Sequence, residues 1–198
     1  RTPARWQLYD LAKLPQDTLA LAVDVAMPAT DRAHTAGAVA LGPRQQGGNR
    51  LVVVGSWDSR AIHFYRLLAS GDYQELGTWQ LDAADTEAWA GWPGEWGDYQ
   101  SLQLFAEDDV LALYGLGVAG GQQVVDRFTV TLPEETGLPG PDPRLTFTRR
   151  YTPTLPDDVS LRWGGALLAE EGGGYTLVAT PKEPKLTSRL VLCPLGTE

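Results

Sequence analysis

Three copies of one strand pattern, recurring at roughly even spacing, restrict what this chain of 198 residues can fold into. The first copy reads Ala36 to Leu41, Leu51 to Ser56, Ile62 to Leu67 and Tyr73 to Leu81. The second reads Tyr99 to Leu104, Val110 to Tyr114, Val124 to Leu132 and Leu145 to Tyr151. The third reads Trp163 to Leu168, Tyr175 to Thr180 and Arg189 to Leu192, and lacks a fourth strand. Each run is short, rich in Val, Leu, Tyr, Phe and Thr, and bounded by Gly, Pro, Asn or Asp, which is how strands and turns read. No amphipathic helix stands out.

Polar alternation is concentrated in the third and fourth strands, where Phe128, Val130 and Leu132 interleave with Thr129 and Thr131, and Leu145 and Phe147 with Thr146 and Thr148. Those strands have one wet face. The first strand of a copy differs: Thr35 to Ala40 and Trp163 to Leu168 are crowded with Gly and Ala, and glycine inside a strand marks the close approach of another backbone. Such strands suit a crowded axis.

A four-stranded antiparallel unit repeated with small residues on its first strand is the pattern of a β-propeller blade. The spacing exceeds that of WD40 repeats, and no Gly-His and Trp-Asp pair recurs. Leu51 to Arg60 followed by Ile62-His63-Phe64-Tyr65, together with Tyr99 to Leu104 and the opening Trp6 to Leu11, resembles a divergent, secreted bacterial propeller-like family. The resemblance covers nearly the whole chain, but its motifs are structural: it implies a fold and carries over no catalytic residue.

The expected fold is therefore all-β, a β-propeller portion of about three four-stranded antiparallel blades spanning residues 36–81, 99–151 and 163–193 within one domain, 1–198. Closed propellers use roughly four to eight blades, so something must complete the ring. Residues 4–11, with Trp6 and Leu8 on one face, read as a lone outer strand arriving without the strands that should precede it. Arg1 is neither an initiator Met nor part of a signal peptide, which points to processing and to a second polypeptide carrying a missing half. The alternative is a homodimer in which residues 6–11 of one copy complete the third blade of the other and close a six-bladed ring.

A hydrophobic fraction of 43% with 21% charged residues is that of a globular unit able to bury a core, although blades need neighbours for stability. The formal net charge of −9, with 16 dispersed Lys and Arg, argues against nucleic acid and anionic membrane surfaces as partners. No apolar run approaches the ~20 residues of a spanning helix. The single cysteine, Cys193, cannot form an internal disulfide and reads as a small buried apolar residue. A secreted or periplasmic location follows from the resemblance and the absent N-terminal start. No cofactor motif is present: residues 115–121 are glycine-rich but lack the GK[ST] ending of a phosphate loop, and read as a flexible hairpin.

In a propeller the loops joining second to third strands, and fourth strands to the next blade, gather on one face, where long loops carry function. That face should hold residues 57–60, 82–98, 115–121, 153–160 and 181–186. Within residues 82–98, Trp89, Trp92 and Trp96 fall among glycines and the acids Glu87, Glu95 and Asp98. Indoles flanked by carboxylates can stack on sugar rings while the acids accept hydroxyl hydrogen bonds. The structural alternative is that these Trp plug the loop onto the blades or fill a protein contact. In Trp57-Asp58-Ser59-Arg60, Asp58 suits a turn cap, while Arg60 suits either a pair with it or an anionic ligand at the channel mouth.

Catalytic constellations are weak. His34 and His63 offer no metal spacing, and His63 alternates on a strand as a structural residue would. His34, near Asp31 and Arg32, is placed to line a channel entrance as a general base. Glu95 and Asp98 share one loop, and two carboxylates at suitable separation run glycoside hydrolysis, but that separation is not legible in a loop sequence. Glu107-Asp108-Asp109 reads as a hydrated hairpin tip. The preferred reading is a non-catalytic binding or assembly module that engages protein or glycan through Trp-rich loops on one face. Its rival is a propeller hydrolase with acids or His34 in a central channel.

Overall fold

Leu51, Val52, Val53 and Val54 are each at most 2% exposed, so the strand carrying them is covered on both faces. Four consecutive buried side chains on an alternating backbone require a neighbouring layer on either side. The computed structural model, which describes residues 5–10, 20–26, 36–56, 61–80, 97–132, 143–171, 173–181 and 190–195, supplies both layers.

The strands are β1 Arg5–Asp10, β2 Ala20–Ala26, β3 Ala36–Arg44, β4 Arg50–Ser56, β5 Ala61–Leu67, β6 Tyr73–Gln80, β7 Asp98–Glu107, β8 Val110–Ala119, β9 Gln122–Thr131, β10 Arg144–Tyr151, β11 Gly165–Ala169, β12 Tyr175–Ala179 and β13 Val191–Leu195. They form antiparallel meanders in the orders β3-β4-β5-β6, β7-β8-β9-β10 and β11-β12-β13, with β1-β2 as a fourth, smaller sheet. Among the described residues there is no α-helix, and so none long and apolar enough to cross a membrane.

The sheets stack face on face. Trp6 and Val25 of β1-β2 cover Val52, Val54 and Tyr65 on one side of the β3–β6 sheet. On its other side, Leu51, Val53, Ile62 and Phe64 meet Leu102, Leu104, Leu113 and Phe128 of the β7–β10 sheet. That sheet in turn packs Ala112, Tyr114, Leu116 and Val125 against Leu167, Leu177, Ala179 and Leu195 of β11–β13. The first strands of successive sheets adjoin, β3 beside β7 and β7 beside β11. Stacked meanders turning about their first strands, with no closure among the described residues, are an incomplete propeller.

The crowding anticipated on the first strands has a visible cause. Ala38 and Ala40 of β3 are buried against the neighbouring sheet. A Cβ at Gly165 of β11 would stand 2.9 Å from Leu161 and 3.1 Å from the Val178 carbonyl, so only glycine fits that approach.

Three expectations need correction. Residues 4–11 are not a lone strand, because β1 pairs along its length with β2, aided by an Arg5–Asp24 ion pair at 2.7 Å. Ala20, Ala22 and Ala26 lower the β-propensity of that segment, which conceals it in the sequence. Residues 115–121 are not a loop: β8 continues to Ala119, and only Gly120 and Gly121 form the turn, with φ of 54° and 81°. Trp163 and Gly164 belong to a 3-10 turn, Leu161–Trp163, and its cap, so the strand begins at Gly165.

Gly115 and Gly117 lie inside β8 because the Tyr99 ring and the Asp98 carbonyl of β7 need their space. A Cβ at Gly115 would stand 2.8 Å from the Tyr99 ring, and one at Gly117 would overlap the Asp98 carbonyl. Gly117→Ala should therefore lower stability by ~1–3 kcal/mol or more through overpacking. Gly42→Ala, whose added methyl would make ordinary contacts at 3.4–3.5 Å, should cost much less. Urea unfolding midpoints of the two variants check this, and equal shifts would contradict it.

Candidate functional site

Two carboxylates held inside the described sheets, Asp126 and Glu107, are each surrounded by donors from neighbouring strands. Asp126 of β9 is fully buried among apolar neighbours and accepts hydrogen bonds from Arg150 Nε at 2.7 Å, from Arg150 Nη2 at 2.8 Å and from the Tyr99 hydroxyl. A carboxylate so surrounded has lost water and regained three donors. Burial, together with the Asp126 charge, pushes the Tyr99 phenol well above its ordinary value. On the opposite face of the same sheet, Glu107 receives Tyr114 at 2.7 Å, Tyr175 of the next sheet at 2.6 Å, and Arg127 through Nε at 3.0 Å and Nη2 at 2.6 Å. Burial opposes ionisation of Glu107, but the bonds from Tyr114, Tyr175 and Arg127 outweigh it and hold its carboxyl below the ordinary carboxylate value. Neither acid is arranged to take a proton from a substrate. Both rivet strands and sheets together.

These networks were not foreseen. Glu107 was expected to be simply hydrated at a hairpin tip, whereas it is half-buried and only Asp108 and Asp109 beside it are exposed. The legible signal was Asp126-Arg127 standing inside the apolar run from Val124 to Val130, where a charge must have a partner. Residues 153–160 form a connection, exposed at Thr154, Pro156, Asp157 and Asp158, whose end enters the core: Val159 is buried between sheets, and Ser160 accepts from the Arg162 amide at 3.2 Å. Gln123 accepts from the Leu161 amide at 2.7 Å. Among the described residues no group of three or more His, Cys, Asp or Glu could hold a metal.

His63 is structural, as its alternation on the strand suggested. It is fully buried on β5, with Nδ1 2.9 Å from Thr78 Oγ1, and Nε2 has no hydrogen-bond partner among the described residues. Burial lowers its pKa below 6.5. Cys193 is free and half-buried, packed at the edge of the core between the last two sheets.

Of the residues singled out as ligand-binding, Trp57, Asp58, Arg60, Trp89, Trp92, Glu95, Trp96 and His34 lie outside the described residues. Asp98 is described: it is exposed at the first position of β7, its backbone paired with Val118. Trp163, counted in the sequence as part of a strand, is 64% exposed at the turn leading into β11. It therefore stands where a fourth strand passes to the next blade, as Asp98 does.

Several exposed apolar side chains lie on the two end faces of the stack. On the leading sheet, Val39 and Leu41 pair with Val54 and Val52 and so share their face. Val52 and Val54 are buried beneath β1-β2, yet Val39 is 43% and Leu41 39% exposed. The small sheet thus covers Val52, Val54 and Tyr65, and β1 also approaches β3, where Val39 and Leu41 keep part of their surface in water. On the trailing sheet, Leu167, Leu177 and Cys193 align on the covered face, and Leu168, Thr176 and Pro194 align one residue later on the other. There Leu168 is 54% and Leu192 63% exposed.

No protein-family model matches this chain, and no curated protein matches it. One solved structure that it resembles is the β-propeller domain of Nup133 from Vanderwaltozyma polyspora, with 9% identity and a TM-score of 0.43 over 97% of this chain. The chain spans 58% of the length of that domain.

Two outcomes follow from the buried polar groups. Asp126→Ala leaves Arg150, whose side chain is 12% exposed, without its carboxylate, and should cost ~3–5 kcal/mol in chemical denaturation. The double change Asp126→Leu with Arg150→Met should recover part of that loss. For His63, the unfolded chain binds a proton at a higher pH than the folded one. Stability should therefore fall as pH drops below about 6.5, before carboxylates titrate. Thermal midpoints of the protein and of His63→Gln between pH 7.5 and 5.5 check it, and parallel profiles would contradict it.

Proposed function

We propose that this chain is a non-catalytic binding and assembly module, an arc of a propeller whose end faces and loop face engage other macromolecules. The observation that carries the reading is the pair of apolar end faces, Val39 and Leu41 on one side and Leu168 and Leu192 on the other. Four aliphatic side chains held in water by rigid sheets gain free energy on being covered, at ~25 cal/mol per Å² of apolar surface removed from water. The exposed Trp163 adds an indole to the loop face on which Trp57, Trp89, Trp92 and Trp96 were placed by the sequence. A protein or glycan ligand on that face, and a secreted or periplasmic setting, remain part of the proposal. The hydrolase reading draws on His34 and Glu95, and nothing among the described residues favours it.

A photo-crosslinking side chain introduced at Leu168 or Leu192 tests the assembly reading in the cells that make the protein. It should join this chain to a polypeptide identifiable by mass spectrometry. The same group at Val110, which is 38% exposed at a hairpin and off the end faces, should not. Equal yields at the three positions, or none, would contradict the assembly role.

A further inference from the structure

One row across the first sheet holds Arg44 of β3, Arg50 of β4, Leu67 of β5 and Tyr73 of β6, each paired directly with the next. Paired residues share a face, and Arg50 stands two residues from Val52, so the row lies on the face where Trp6 packs over Val52 and Tyr65. Resting on the assembly reading above, we propose that this row docks an acidic and apolar segment of a partner polypeptide. Its carboxylates meet the two arginines, and its apolar side chains meet Leu67 and Tyr73.

Unpaired charge is the first reason. Like charges directly opposite on neighbouring strands destabilise a sheet. Arg5, Arg127 and Arg150 each have an acid at 2.6–2.7 Å. Arg44 and Arg50 have neither an ion pair nor a hydrogen bond to their side chains among the described residues, and Arg50 Nε is buried without an acceptor. An arginine kept only for solubility holds its whole head group in water, whereas a buried, unspent N–H costs stability. What the burial gives in return is orientation: the planar guanidinium is set before a ligand arrives, as bidentate capture of a carboxylate requires. In a chain of net charge −9, two unpaired cations side by side are also a local reversal of sign. They attract an acidic segment and repel a basic one.

Apolar surface adjoins the charges. Tyr73 is 47% exposed, with its ring 6.3 Å from Trp6 and 6.4 Å from Tyr65, and Leu67 is half-buried between it and Arg50. The rim beneath the row is tied, because Asn49 Oδ1 of one hairpin tip accepts from the Ala69 amide of the other at 3.1 Å. At ~4.8 Å per strand the row is about 14 Å long, a span that about four residues of extended chain cover.

Fluorescence anisotropy of the full chain with a labelled peptide of repeated Glu-Glu-Leu-Leu units tests this. That peptide should bind and its Lys-Lys-Leu-Leu counterpart should not. Arg44→Gln, at an exposed position, should weaken binding about tenfold or more. Arg50→Met keeps the stem and removes the unspent donor, so it should weaken binding as much while raising the urea midpoint of unfolding. The Arg50 Nε–H resonance should move as the peptide is added. Equal binding of the two peptides, parental binding by either variant, a midpoint lowered by Arg50→Met or an unmoved resonance overturns the proposal. So does inorganic phosphate that displaces the peptide at lower concentration than free glutamate, which would make the row a phosphate site. A crosslink from Leu168 to another polypeptide, with no peptide bound here, would keep the assembly role and remove the acidic partner.

Discussion

Every sheet in the middle of this molecule is apolar on both faces, and the rest of the structure follows from that. In β8, Ala112, Tyr114 and Leu116 point into one interlayer core while Leu113 points into the other. A meander of this kind cannot stand in water with either face bare, so it must be stacked, and stacked strands that twist turn about their first members. The layers that end the stack inherit the same chemistry without a further neighbour. The exposed aliphatic side chains on β3 and β11 are thus the residue of a rule obeyed everywhere else.

Close stacking is achieved by removing side chains at chosen points. A Cβ at Gly55 would stand 3.1 Å from Leu102 of the next sheet, and Gly165 makes room for Leu161 of the preceding turn. Where layers approach closely, polar side chains replace strand pairing. Gln103 of β7 accepts from the Leu167 amide of β11, and Ser101 accepts from the Gly165 amide at 3.2 Å. The Glu107 cluster adds Tyr175 of the last sheet to the same seam. These bonds join successive first strands without a continuous ladder, which keeps the sheets distinct while fixing their relative position.

Much of the architecture was legible in the sequence, because apolar runs of four to ten residues bounded by turn formers survive as strands wherever packing agrees with propensity. β4, β5, β6, β9 and β10 begin and end within two residues of where their composition places them. The failures have physical causes. β2 is alanine-rich and lacks a strand-like composition, and Gly115 and Gly117 look like loop residues although the first makes room for the Tyr99 ring and the second for the Asp98 carbonyl. Asp126 and Glu107 were legible only as charges in an apolar context, since their partners come from strands distant in the chain. The end faces could not be read at all, because Val39 and Leu168 alternate in the same way as residues that are covered. Which of two identical patterns lacks a neighbour is a property of the whole stack.

The account stands on sheets stacked in chain order about their first strands. A methyl and amide NOESY spectrum of the labelled protein tests that directly. It should join the Leu102 methyls to Gly55 and Ile62, the Leu116 methyls to Gly165, and the Gln103 side-chain amide to the Leu167 backbone. A spectrum without these cross-peaks, in which β4 side chains instead meet those of β12 within one chain, would describe a two-layer sandwich and contradict the arrangement.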